Sequence, residues 1–253
     1  MDQISISQQH RIMECLSGSR AYGTSTPASD IDYRGLFIGA TESILTPFYP
    51  VEQVEGPGDR VLYEIGKFLK LAADQNPNIL ELLWVRESDV LFTTPWYQAL
   101  RDIRGRLLST KARYTFGGYA HAQMKRLKNA ADQVTETGKP RPGRNPARAQ
   151  LEQKHGYDTK HAMHLVRLLR MGLEVLQEGE LRVYRPDAAE LLEIRDGKYS
   201  LAEILQMAEE LDQQLAQVAS DLPHSVDIAY LARHLKGLYL EYWNSTSYKE
   251  TII

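Results

Sequence analysis

Two aspartates one residue apart, Asp30 and Asp32, close the stretch GSRAYGTSTPASDIDYRG (residues 18–35), which opens on the small-residue pair Gly18-Ser19. On a strand, residues i and i+2 project from the same face, so the spacing predicts two carboxylates side by side. Like charges that close repel each other unless a cation bridges them. A hard divalent ion suits this, because Mg²⁺ is commonly held by one or two carboxylates together with substrate phosphates. A Gly-Ser turn leading into a helical stretch offers backbone N–H groups for those phosphates. The pattern therefore predicts Mg²⁺, two ions with Mn²⁺ able to replace them, and a nucleoside triphosphate as substrate. The chemistry would activate a hydroxyl and stabilise departing pyrophosphate.

Elements on either side must position these groups. Residues 11–16 read as a strand ahead of the turn, and DIDYRGLFIG as a second one carrying both aspartates. GPG at 56–58 marks a turn, and DRVLYEI reads as a further strand. Helical spacing begins near Lys67 and stops at NPN, residues 76–78, a structural turn. ILELLWV follows as a second apolar helix or strand. Beyond about residue 95 the pattern is almost wholly helical. It is interrupted by TGKPRPGRNPARA (137–149), which predicts a mobile basic loop because proline cannot continue a helix. Ser200 and Glu203 have capping-box spacing, and VDIAYLARHLKGLYLEYW reads as a last helix. The predicted class is α+β: a small sheet domain over 1–95, then a mostly helical domain over 96–253 that completes a nucleotide and acceptor cleft.

The chain has 253 residues, 43% hydrophobic and 25% charged, the profile of a soluble globular protein. Cys15, the only cysteine, can form no internal disulfide. With no apolar leader core and no membrane-length apolar run, the expected location is cytoplasmic, without a membrane partner. The net charge of −3 conceals an asymmetry: residues 101–170 hold 16 Lys and Arg against 5 Asp and Glu, a net of +11, leaving −14 elsewhere. A basic segment in an acidic chain points to an anionic ligand such as a nucleotide or RNA; the alternative is solvated helix faces.

GSRAYGTSTPASDIDYRG resembles the signature of the DNA polymerase beta-type nucleotidyltransferase superfamily, in the variant found in predicted nucleotidyltransferases associated with RNA-repair ligases. YEIGKFLKLAADQNPNILELLW and YDTKHAMHLVRLLRMGLEVLQEGEL resemble later blocks of that group, so the likeness covers about two-thirds of the chain. It implies that Asp30 and Asp32 are metal ligands and that Gly18 and Ser19 contact the triphosphate, with Arg20 and Tyr22 lining the same cleft. It also implies a third carboxylate on a neighbouring strand, as metal ligand or base. Asp59 and Glu64 compete for that place. Five residues apart, they fall on opposite faces of a regular strand. Glu64 is preferred, its alternative being an acid at a helix N-terminus.

Lys160, His164 and Arg167 are spaced to share one helix face, with His161 close by and Leu165, Leu168 and Leu169 on the other side. This stripe is expected to bind the triphosphate. The histidines lack the further ligands of a zinc site. His155 and Tyr157 could reach a base or sugar, and Tyr114, Phe116 and Tyr119, interleaved with the basic segment, could stack on RNA. Arg34 reads as a structural ion-pair partner, and Trp84, Trp96, Tyr239, Tyr242 and Trp243 as packing.

The function expected is transfer of a nucleoside monophosphate from an NTP to an acceptor hydroxyl. The acceptor would be an RNA end, bound through residues 101–170 and shared functionally with an RNA ligase. AMP transfer to a protein or small molecule is the alternative. A non-catalytic nucleotide-binding protein would have little use for two carboxylates that repel phosphates when metal is absent.

Overall fold

The computed structural model describes residues 10–48, 50–140 and 143–245. It is α+β, as expected: a five-stranded mixed sheet precedes a long helical region. The chain divides into two units. The first runs to Ser109 and takes in the chain again from Ser225; the second is Thr110–His224.

In the first unit the strands are β1 (Arg11–Ser17), β2 (Asp32–Phe37), β3 (Gln53–Gly56), β4 (Arg60–Glu64) and β5 (Val90–Thr93), in the order β3-β4-β2-β1-β5. β2 and β4 are parallel, and the other pairs antiparallel. The short helix α1 (Gly18–Tyr22) leaves β1 directly and ends at Gly23, whose φ of 75° closes it in the left-handed region. Then come α2 (Thr41–Leu45), α3 (Ile65–Ala73) and α4 (Pro77–Leu80). At NPN, Asn76 caps α4 and Pro77 occupies its first turn, so the motif is a turn that starts a helix as well as ending one. Helix α5 (Pro95–Asp102) follows β5.

The second unit comprises α6 (Ala112–Thr137), α7 (Pro146–His155), α8 (Thr159–Glu178), α9 (Ala188–Arg195) and α10 (Leu201–Gln217). Helix α8 is the centre: Leu165, Val166, Leu169, Met171 and Val175 are fully buried. Each contributes about 1.5–3 kcal/mol by leaving water. Gly172 lets α6 and α10 approach, since a Cβ there would lie 2.9 Å from Phe116 Cβ and 3.0 Å from Leu215 Cδ1. The capping box on α10 is present, with Ser200 Oγ accepting from Glu203 N and Ser200 N donating to Glu203 Oε2. The basic loop is shorter than 137–149, because Asn145 caps α7 and Pro146 starts it.

The last helix, α11 (Ile228–Asn244), packs within the first unit rather than the helical one. Tyr239 Oη donates to Glu64 Oε1 at 2.8 Å and Trp243 Nε1 to the Gly39 carbonyl at 3.0 Å. The compact units thus differ from the division at residue 95, because these C-terminal aromatics anchor on the sheet. Tyr239, Tyr242 and Trp243 act in packing, as their sequence reading had it.

Candidate active site

Ser17 pairs with Asp32 across β1 and β2, so the turn that begins α1 lies beside that aspartate. Gly18 has a φ of +59°, and a Cβ on it would stand 2.2 Å from Asp32 Oδ2. Only glycine leaves room for this approach between backbone and carboxylate. Strand β2 begins at Asp32, so Asp30 lies in the exposed segment before it rather than on the strand. Asp32 is half-buried, with Arg34 Nη2 3.9 Å from its Oδ1. Arg34 also donates to the carbonyls of Tyr33 and Asp59, matching its structural reading. Among the described residues, no group of three or more His, Cys, Asp or Glu side chains converges as a metal site. Asp30 and Asp32 supply hard oxygen donors of the kind that Mg²⁺ takes.

Arg20 sits on α1 between Ser19 and Tyr22. Its Nε is buried, and no hydrogen-bond partner reaches it among the described residues. Tyr22 takes a different role from the one expected: it is buried, its hydroxyl donating to Glu81 Oε2 at 2.7 Å, so it anchors α1. Sequence reasoning missed Glu81, a buried acid in the apolar run after NPN. An acid flanked by leucines was the available signal.

The strand register separates the two candidates for a third carboxylate. Tyr33 pairs with Arg60 and its N–H reaches the Asp59 carbonyl, which puts Asp59 level with Asp32 at the start of β4. Glu64 pairs with Phe37, five residues along β2 from Asp32, roughly 16 Å at about 3.3 Å per residue. It shares the face of Phe37, opposite to that of Asp32. Glu64 is buried and caps α3, accepting from Gly66 N at 2.6 Å, Gly39 N at 3.3 Å and Tyr239 Oη. Burial raises its pKa from the ordinary value, against the pull of those hydrogen bonds. Its position fits the helix-terminal alternative and not the preferred role. Asp59 is exposed, with a φ of 53°.

Lys160, His164 and Arg167 belong to the second unit. Lys160 and His164 are partly covered, but Arg167 is 3% exposed and donates to Met171 Sδ at 3.0 Å, so it is not part of an open polar stripe. The helix that should have been two-sided is buried nearly all round at its middle. Tyr157 is also structural, its hydroxyl donating to the Tyr199 carbonyl, and His155 lies against Gly197. Phe116 is fully buried and cannot stack on RNA, whereas Tyr114 and Tyr119 are exposed. Among the described residues no helix is long and apolar enough to cross a membrane.

An uncharacterised 38.9 kDa protein of Enterobacteria phage T4, encoded in the nrdC-mobD intergenic region, is 28% identical over 125 residues. That alignment covers 44% of this chain and 37% of the phage protein, so the chain spans well under half of that relative. Residues 1–236 match the RNA repair pathway DNA polymerase beta family, RlaP, and over that extent the chain belongs to it.

Proposed function

We propose that the protein transfers a nucleoside monophosphate from an NTP to a hydroxyl at an RNA end. Asp30 and Asp32 would hold Mg²⁺, while Gly18, Ser19 and Arg20 take the phosphates. The observation that carries this reading is the approach of the Gly18 backbone to Asp32, with the unpartnered Arg20 guanidinium in the same turn. Family membership supports the reaction class and the RNA-repair setting. Bound between the aspartates, Mg²⁺ would lower the pKa of the acceptor hydroxyl and offset the charge of the departing pyrophosphate. The acceptor oxygen bonds to the α-phosphorus as the bond from that phosphorus to the bridging α–β oxygen breaks, and pyrophosphate leaves carrying the bridging oxygen. Asp59, level with Asp32 on the neighbouring strand, is assigned to accept the hydroxyl proton in place of Glu64.

Incubating the protein with each of the four α-labelled NTPs, Mg²⁺ and a pool of short RNAs tests this. Label should appear on RNA with the native protein and not with an Asp30→Ala, Asp32→Ala variant. Pyrophosphate release without labelled RNA would move the acceptor to a protein or small molecule. NTP binding with no turnover would overturn the transferase reading.

A further inference from the structure

The second unit contains a concentration of positive charge that the transfer site does not use. Asp158 caps α8 and is completely buried. Its carboxylate accepts from Arg144 Nη2 at 2.7 Å and from Arg148 Nη1 at 2.8 Å, while Arg144 Nε also donates to buried Glu152. One buried acid thus fixes two guanidinium groups from different segments. Arg126 and Arg144 flank a cavity of about 130 Å³, lined also by Asn129, Ala130 and Glu152. At about 30 Å³ per water this has the room of a few waters, suited to a phosphate group.

The charges do not cancel. Arg126 on α6 is exposed and Lys160 on α8 half-buried, and neither has a hydrogen-bond or ion-pair partner among the described residues. His161 and His164 register the excess. Burial and the positive groups of Arg148, Arg144 and Arg126 push His161 down to about 4, with Asp158 opposing them. His164 is held well below its ordinary value by burial, then by Arg167, Arg148, Lys160 and His161. Burial is the larger cause of both shifts, and the surrounding positive groups add to it.

We propose that the cavity flanked by Arg126 and Arg144 is a phosphate site in the helical unit that holds a backbone phosphodiester of the acceptor RNA. Arg144 is preset by Glu152 and Asp158, and Arg126 supplies the free charge. The choice of RNA rests on the proposed RNA acceptor; a nucleotide phosphate has the same chemistry and is the competing source.

The test titrates a fluorescein-labelled single-stranded RNA with the full chain by anisotropy, across a series of KCl concentrations. An Arg126→Ala variant removes a cation that holds up no ion pair, and a thermal melt by circular dichroism verifies that it folds. RNA should bind it several-fold more weakly. The slope of log K against log[salt] should shrink by about 0.7, for one lost single-strand phosphate contact. Equilibrium dialysis of Mg-NTP should show unchanged affinity in that variant, whereas Asp30→Ala, Asp32→Ala should lose Mg-NTP and keep RNA. An unchanged salt slope would overturn the proposal, and so would loss of NTP affinity with RNA binding intact. Both readouts are independent of turnover, so failure of label transfer alone would count against the transferase reading and not against this site.

Discussion

Gly18→Ala separates the folding role of a glycine from its role in a site. Two penalties attach to it. A non-glycine residue at a φ of +59° costs about 1–2 kcal/mol of backbone strain. Separately, the new methyl would lie 2.2 Å from Asp32 Oδ2, against about 3.5 Å for ordinary contact, so more than an ångström of movement is required. The obstructing atom is the end of a side chain, which can rotate away at small cost to stability while carrying the carboxylate out of place. Gly58→Ala is the matched control: its φ is +70°, and nothing stands within 4 Å of a Cβ there. Both variants should therefore lose about 1–2 kcal/mol in urea unfolding. Only Gly18→Ala should lose turnover, by about 100-fold, the cost of an ångström's misplacement of a reacting group. Transfer of label from an α-labelled NTP to RNA, measured beside urea melts, reads both quantities. Native-like turnover in Gly18→Ala, or equal losses of activity in the two variants, would refute the link between Gly18 and the position of Asp32.

Asp59→Asn should lower transfer by about 10²–10⁴-fold with stability nearly unchanged, whereas Glu64→Gln should leave turnover within a few-fold; the opposite pattern in paired kinetic assays would restore Glu64 as the third carboxylate. The folded protein holds His161 near 4 against 6.5 unfolded, so the unfolded chain binds more protons between those values. Stability from this group is complete above pH 6.5 and is lost as pH falls toward 4, by up to roughly 3 kcal/mol at about 1.4 kcal/mol per unit. Urea melts across that range should show the fall, and His161→Gln should flatten it.

What the sequence disclosed was local. The Gly18-Ser19 turn and the Ser200–Glu203 capping box are each specified within a few residues, so spacing and residue type sufficed, whereas the strand expected to carry both aspartates begins only at Asp32. Phe116 and Arg167 were misjudged for the converse reason. An aromatic residue among cations, or a cation at helical spacing from a histidine, looks exposed until the neighbouring helices are placed. Phe116 is buried where Gly172 lets two helices close on it, a contact between residues more than fifty apart. The Asp158 hub was hidden in the same way, because its arginines come from a loop and another helix.

Glu64 shows why a candidate acid cannot be ranked from its own neighbours in sequence. Tyr63 and Ile65 around it suit an acid on a strand facing a site and an acid capping a helix equally well. The deciding fact is the parallel register of β4 on β2, which aligns Asp59 with Asp32 and carries Glu64 to the far end of the sheet. Register is set by side chains packing on both faces of several strands at once, and a one-residue slip would turn every one of them over. At that far end, Tyr239 arrives from a helix 175 positions away in sequence to donate to the Glu64 carboxylate. Burial raises the pKa of Glu64 while that hydrogen bond opposes the rise, and a perturbation of the kind that marks catalytic acids accompanies a helix-capping role here.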